Sequence, residues 1–448
     1  MNTMLPETER AGIIALMQRE IVPATGCTEP VAVALACAYA ARQAGMGSQR
    51  RPADFASIIC RLSGNMIKNA MGVGIPGTGR TGLPIAIALG ALRGNPDRGL
   101  EVLDGVRPDE VEAADALTKA AGVIDIGLQP GPCDKLYIDV TVRTADGRYG
   151  HAIIEGAHTH VVLLEGSADD ECGMSKVECG KKGGDRTEVA DGGADVQLTM
   201  RKVWDFAMTT PLDEIRFILE ARRLNKAVAE GAIQGSYGHS VGRTMHCPRQ
   251  HLLMGDSIFT HILSYTSAAC DARMGGASVT VMSNSGSGNQ GIAATVPVVV
   301  YADDTHADEE HTIRALTLSH LTAIYIKQSL GRLSALCGCV VAATGSSAGI
   351  CYLMGGDYDR VVATIKNMVA TLTGMICDGA KPSCALKLAS GVSTAVVSAL
   401  VAMEGHCVTP LEGIVDDSID KTIANLTTIG RDAMNETDDT ILRIMTSK

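Results

Sequence analysis

Large aromatic side chains are almost missing from this chain, and that limits how its core can be built. Phe, Trp and Tyr make up 3 % of the residues, against 46 % apolar residues in all and 49 glycines. A core of Ala, Val, Ile, Leu and Met, with glycines letting backbones come close, points to tightly packed helices of small residues. The 448 residues are enough for large buried cores and suggest two domains. A formal net charge of −11 argues against a nucleic-acid binder, which would show a basic face, and suits a soluble cytoplasmic protein.

The 14 cysteines, about 3 % of the chain, fall well below the density of a disulfide scaffold. The start, Met1-Asn2-Thr3-Met4-Leu5-Pro6-Glu7, has neither a basic opening nor an apolar run, so no secretory signal is expected. In a reducing compartment cysteines serve metals, catalysis or plain core filling. No stretch reads as a membrane span. The most apolar, 386–403, is interrupted by Lys387, Ser390, Gly391, Ser393 and Thr394 and is expected to be a buried helix.

Residues 3–22 read as a helix, with Pro6, Glu7 and Glu9 in the first turn and Ile13, Ile14, Met17 and Ile21 as an apolar stripe. Pro23 ends it. A second apolar helix, 31–42, follows Gly26-Cys27-Thr28-Glu29-Pro30, with Thr28 as its N-cap, so Cys27 falls at or just before a helix start. Residues 55–62 alternate as a strand, and 83–92 read as a buried helix. Then the texture changes: a helix at 111–121, strands at 136–142, 149–155 and 160–165, and a polar loop at 167–195. Helices dominate again from 211, starting with an amphipathic one at 212–230. The expected architecture is α+β. A mainly helical domain comes from both chain ends, 1–98 and 205–448, and a smaller α+β domain, 99–204, is inserted between them.

The chemistry concentrates in a few stretches. Cys337, Cys377 and Cys384 lie 40 and 7 positions apart, and the last two share the loop Cys377-Asp378-Gly379-Ala380-Lys381-Pro382-Ser383-Cys384. Three thiolates can hold a four-iron cluster and leave one iron without a protein ligand, free to act as a Lewis acid. Buried cysteine is also a common small hydrophobe. Cys37, Cys60, Cys270 and Cys351 sit in apolar runs and read as core, Cys337 and Cys339 read as a ligand pair or as helix packing, and Cys172 and Cys179 as a zinc pair or a segment without a role. Cys27 at a helix start favours a thiolate; the alternative is a packed cysteine at a tight turn.

The run Ser283-Asn284-Ser285-Gly286-Ser287-Gly288-Asn289-Gln290-Gly291 has no apolar side chain, and Ser285, Ser287 and Asn289 can cradle a carboxylate. It lacks the phosphate-loop pattern; the alternative is a flexible linker. Arg273 offers a guanidinium suited to a carboxylate, or a structural ion pair. Asn65, Lys68 and Asn69, after the 55–62 strand, can supply substrate hydrogen bonds or form a structural turn. His158 and His160 carry no assignment.

Taken together these stretches resemble L-cysteine desulfidase, the iron–sulfur cysteine desulfhydrase group of the serine dehydratase alpha-like family. The resemblance covers nearly the whole chain. It rests on Gly26-Cys27-Thr28-Glu29-Pro30, Lys68-Asn69 with Pro76-Gly77-Thr78-Gly79, His158-Thr159, Ser267-Ala268-Ala269, Asp271-Ala272-Arg273-Met274-Gly275-Gly276, the 283–291 run, Leu333-Ser334-Ala335-Leu336-Cys337, Met375-Ile376-Cys377-Asp378-Gly379-Ala380 and Ser383-Cys384-Ala385. It implies a [4Fe-4S] cluster held by Cys337, Cys377 and Cys384, with Cys27 matching the family's remaining cysteine as base or labile fourth ligand. Cys339 matches no family ligand, and the stretch with Cys172 and Cys179 departs most from the pattern.

The implied reaction is a β-elimination of L-cysteine to sulfide, pyruvate and ammonium without pyridoxal phosphate. The carboxylate would rest on the 285–289 cradle with Asn65 or Arg273, the sulfur would face the open iron, and a Cys27 thiolate would take the α-proton. The rivals are an iron–sulfur L-serine dehydratase, a non-enzymatic metal or redox-sensing protein, and cysteines that only pack. The expected partner is the small-molecule substrate, with no nucleic acid and no membrane; a homodimer stays open.

Overall fold

The computed structural model describes residues 3–168, 196–331 and 334–447. Cys172, Cys179 and nearly all of the loop expected at 167–195 lie outside them. Within them the chain is a mainly helical α+β protein.

The N-terminal part contains α1 (Glu7–Glu20), α2 (Thr28–Gln43), α3 (Gly64–Ala70), α4 (Leu83–Arg93) and α5 (Pro108–Lys119). Its strands are β1 (Pro23–Thr25), β2 (Phe55–Leu62), β3 (Gly74–Ile75), β4 (Arg80–Thr81), β5 (Ile124–Leu128), β6 (Tyr137–Thr144), β7 (Tyr149–Glu155) and β8 (Val161–Gly166). Five of them form one sheet in the order β5-β2-β6-β7-β8, with β2 and β5 parallel and the other neighbours antiparallel. Alternation works as expected along β6, where Ile138, Val140 and Val142 point into the core and the residues between them stay partly exposed.

α2 and α4 cover that face. A methyl at Gly90 of α4 would lie 2.3 Å from the Ala34 carbonyl oxygen of α2, so the two backbones touch where the small-residue composition predicts. Residues of α2, β2 and α4 share one core with β6 and β7, so the sheet's core crosses the proposed division between 1–98 and 99–204.

The C-terminal part begins with α6 (Met200–Thr209), α7 (Leu219–Ala232) and α8 (Ile258–Met274), then β9 (Thr280–Met282). It continues through α9 (Gly288–Asp304), α10 (Glu309–Leu330), α11 (Gly338–Leu353), α12 (Tyr358–Leu372), α13 (Cys384–Met403), α14 (Ile419–Thr428) and α15 (Asn435–Thr446). α9, α10 and α11 are buried over most of their length and form the centre of this bundle. The amphipathic helix expected at 212–230 is broken by a 3-10 turn, Arg216–Ile218, and resumes as α7.

The expected buried helix at 386–403 is α13, and it is only half buried. Leu386, Val397, Leu400 and Val401 are exposed along its outer side. Among the described residues it is also the one helix long and apolar enough to cross a membrane by length and composition. The two ends of the chain meet in a short ladder. β1 runs antiparallel to β9, pairing Ala24 with Val281, and the Ser283 and Ser285 N–H groups donate to Val22 and Glu20 carbonyls.

Candidate active site

One cavity of about 450 Å³ gathers most of the residues singled out from the sequence. Its wall includes Cys27, Cys337, Cys339, Cys377 and Cys384, together with Asn69, Arg273, Ser285, Ser287 and Asn289. The amino ends of four helices, α2, α9, α11 and α13, reach it. Those ends present unpaired N–H groups and partial positive charge, which favours anions.

Local structure explains how the three distant cysteines meet. Leu336 and Ile376 form an antiparallel bridge, in which the Cys337 N–H donates to the Met375 carbonyl at 3.0 Å and the Cys377 N–H to the Ala335 carbonyl at 2.7 Å. Cys337 and Cys377 are therefore diagonal neighbours on one face of the bridge, an arrangement that sets side chains about 7–8 Å apart. Cys337 is also the N-cap of α11, and Cys384 is the first residue of α13.

The loop between Cys377 and Cys384 is pinned from both sides. Gly379 has φ +94°, and a methyl there would lie 2.1 Å from the Lys68 carbonyl oxygen, so only glycine fits. Lys381 and Lys387 both pair with Asp378, and Lys387 also donates to the Ile376 carbonyl at 2.9 Å. Burial works against the Asp378 carboxylate, yet these two lysines outweigh it and bring its pKa down to about 2.

The thiols differ in character. The neighbouring Cys339 thiol hydrogen-bonds to the Cys337 sulfur and brings the Cys337 pKa down to about 7. Burial pushes Cys384 up to about 11 and raises Cys377. Cys27 is raised well above the ordinary thiol value, first by burial and then by the Glu29 charge. Its Sγ–H donates to Glu29 Oε2 at 3.0 Å. The expected Cys27 thiolate is thus corrected to a thiol. Cys27 does cap α2, but removal from water and an adjacent carboxylate outweigh the helix end.

The Ser/Gly/Asn run is a rigid turn and not a linker. Ser285 (φ +48°) and Gly286 (φ +78°) close it, and Asn284 and Ser287 exchange backbone hydrogen bonds of 3.1 and 3.0 Å. The Ser287 hydroxyl accepts the Gln290 N–H and caps α9. Beneath it lies a polar chain that sequence reasoning missed. The Ser285 hydroxyl donates to Asn284 Oδ1 at 2.9 Å, and Asn284 Nδ2 donates to His320 Nδ1 at 3.1 Å.

Thr295 gives its own proton to the Gly291 carbonyl, so His320 Nε2 must donate to Thr295 Oγ1, 2.9 Å away. His320 is fully buried and burial holds its pKa at about 3, so it is a neutral Nε2–H tautomer. A lone histidine in the apolar α10 gave no sequence signal for this.

Arg273 latches the run to the Cys27 loop. Its guanidinium donates to Asn289 Oδ1 at 3.1 Å and to the Gly26 carbonyl at 2.8 Å. It lines the cavity, but two of its nitrogens serve protein partners. On the same wall, the Asn69 amide donates to Glu29 Oε1 at 3.3 Å, and the Thr28 hydroxyl to Glu29 Oε2 at 3.2 Å.

Two expected substrate contacts are not in the wall. Asn65 is not among the lining residues. Lys68 is 2 % exposed, does not line the cavity and forms an ion pair with Asp438 of α15; burial raises the Cys377 pKa, and the Lys68 charge reaches the site only as a pull against that rise. Lys135, His158, Lys327, Ser334 and Arg431 line the cavity and carried no site assignment. Among the described residues, no group of three His, Cys, Asp or Glu is arranged to hold a single metal ion.

The fold and this cavity belong to a known class. A model of the serine dehydratase alpha chain family matches residues 97–443, and the chain belongs to that family, a family of serine dehydratase-like lyases. The match contains every cavity residue from Asp134 to Arg431, while Cys27, Glu29 and Asn69 precede it.

Among individual proteins, the chain is 57 % identical over 442 residues to a UPF0597 protein of Bacteroides thetaiotaomicron, covering 99 % of each chain. It is 56 % identical over 444 residues to UPF0597 protein BF3560 of Bacteroides fragilis, covering 99 % of this chain and all of the relative. A UPF0597 protein of Oleidesulfovibrio alaskensis is 47 % identical over 445 residues, with 99 % of each covered.

Proposed function

We propose that this protein is an L-cysteine desulfidase, a carbon–sulfur lyase that converts L-cysteine to sulfide, pyruvate and ammonium with a [4Fe-4S] cluster held by Cys337, Cys377 and Cys384. The observation that carries the reading is the meeting of these three thiols with Cys27 and the Ser285–Asn289 turn on one cavity.

The donor set fits the group. Thiolates are its usual ligands. The diagonal placement of two thiols across the Leu336–Ile376 bridge supports a cluster, whose ligands stand further apart than those of one ion. When bound, the cluster supplies an iron with an open coordination position that acts as a Lewis acid on the leaving group.

The chain's own residues do the rest. The α9 amino end, with Ser287 and the Asn289 amide, receives the carboxylate. Arg273 keeps Asn289 in place and ties it to the Cys27 loop. Within the Cys27–Glu29 pair the thiol is the donor, so Glu29 is the group able to take the α-proton. Ser285, fixed through Asn284 and His320, turns its acceptor lone pairs to the cavity.

The family description favours a second reading, an iron–sulfur L-serine dehydratase acting on the β-hydroxyl of L-serine. Anaerobically reconstituted protein separates the two. Sulfide released from L-cysteine faster than pyruvate from L-serine supports the desulfidase, and the reverse order supports the dehydratase. A cytoplasmic location belongs to the same proposal.

A further inference from the structure

Two buried acceptors in the cavity wall, Asn69 Oδ1 and Gln290 Oε1, have no donor among the described residues, and Asn69 is the one whose amide rests on a carboxylate. Asn69 is 8 % exposed, lines the cavity, and its Oδ1 has no hydrogen-bond partner. Its orientation follows from chemistry: the other end of the amide donates to Glu29 Oε1, and a carboxylate can only accept. The amide cannot be turned over without facing two oxygens at each other. Oδ1 is therefore fixed away from Glu29, and a buried carbonyl without a donor is costly unless something in the cavity supplies one.

The charge around it says what kind of donor fits. Glu29 lies beside the amide on the same wall and already takes three hydrogen bonds, from Cys27, Thr28 and Asn69. Their donors are all neutral, and among the described residues Glu29 makes no ion pair; the amino end of α2 is what faces its charge. Lys68, next in sequence, is engaged with Asp438 and does not line the cavity. The α9 amino end is a donor-rich part of the wall, and Arg273 links it, through Asn289, to the Gly26 carbonyl of the Cys27 loop. The cavity thus has an acceptor side backed by a carboxylate and a donor side backed by a helix end, the pattern of a zwitterion.

We propose that Asn69 Oδ1, polarised by Glu29, is the receptor for a substrate α-ammonium group, and that it makes a free α-amino group a requirement for binding. The inference rests on the amino-acid lyase reading above and adds which residue reads the amino group. Asn69 is here a specificity-determining contact; Glu29 acts on this step through Asn69.

The test uses two ligands that do not turn over and share a carboxylate. L-Alanine carries the ammonium without a thiol, and 3-mercaptopropionate carries the thiol without the ammonium. Each is titrated calorimetrically into anaerobically reconstituted wild-type and Asn69→Leu protein. The expected result is a rise in the L-alanine Kd of about tenfold or more, with the 3-mercaptopropionate Kd within about twofold of wild type. Equal shifts for both ligands, or no shift for either, overturn the inference while the amino-acid reading stands. Wild-type protein that binds neither ligand overturns both. Glu29→Gln gives the same split should Asn69→Leu fail to fold: L-alanine weakens and 3-mercaptopropionate does not.

Discussion

The core under the sheet and the wall of the cavity use the same side chain for opposite ends. Cys37 and Cys60 are buried side by side in the apolar core shared by α2 and β2, where burial, and then the neighbouring thiol, raises the Cys37 pKa. Cys337 and Cys384 are nearly as buried and Cys377 is half-buried, but two of the three stand at helix amino ends and all three border open space. Burial alone therefore does not tell a filler cysteine from a functional one. The difference lies in backbone placement, at a helix start or in a bridge that faces a cavity, and that placement can be tested.

The largest contrast is in metal content. Cys337→Ala, Cys377→Ala or Cys384→Ala is expected to lose the bound iron and, with it, activity by about a thousandfold or more, as when a catalytic metal is removed. Cys37→Ala should keep full iron and sulfide content in the same assay. Retained iron in any of the first three variants would break the comparison. Cys27→Ala, which removes the thiol that holds the Glu29 carboxylate, is expected to keep most of its iron and lose activity by about a hundredfold, in the range of an impaired proton transfer at Glu29. Loss of all iron would make Cys27 a ligand.

Packing comes next. Gly90→Val in the sheet half forces α2 and α4 apart and should cost about 3 kcal/mol in a denaturant melt, while anaerobic iron loading of the folded fraction stays unchanged.

At neutral pH the smallest effect concerns protonation, because it is felt only in acid. The folded His320 pKa, about 3, lies below the ordinary value near 6.5. Below that ordinary value the unfolded chain binds a proton that the folded chain does not. Stability is therefore full above about pH 6.5 and falls by about 1.4 kcal/mol per pH unit as the pH drops toward 3. His320→Asn should remove this slope from acid melts. An unchanged slope would mean that another group sets it.

Much of this was legible in the sequence, where the signal is local. β2 and β7 fall at the residues where alternation placed them, and α2 needed only a shift of its start from 31 to Thr28. The cavity cysteines were legible from their motifs. What escaped depends on residues far apart. β1 and β9 have three residues each, too short to show a period, and their partners are some 255 positions away in the chain. β5 was missed because Asp125 and Gly127 interrupt its apolar run. Lys68 looked like a substrate contact because Asp438 lies 370 positions away. Cys27 was misjudged because a helix start is visible in sequence and burial is not.

The ladder between β1 and β9 also governs when the site can come into being. The Cys27 loop emerges early from the ribosome, but its strand partner, its Arg273 latch and the facing thiols of 337–384 are translated hundreds of residues later. A nascent chain shorter than about 400 residues, at synthesis rates near 5–20 residues per second, spends tens of seconds without a complete pocket. On the cluster reading, the group would be delivered only after Cys384 has been made, and the thiols of the growing chain would need shelter from oxidants until then.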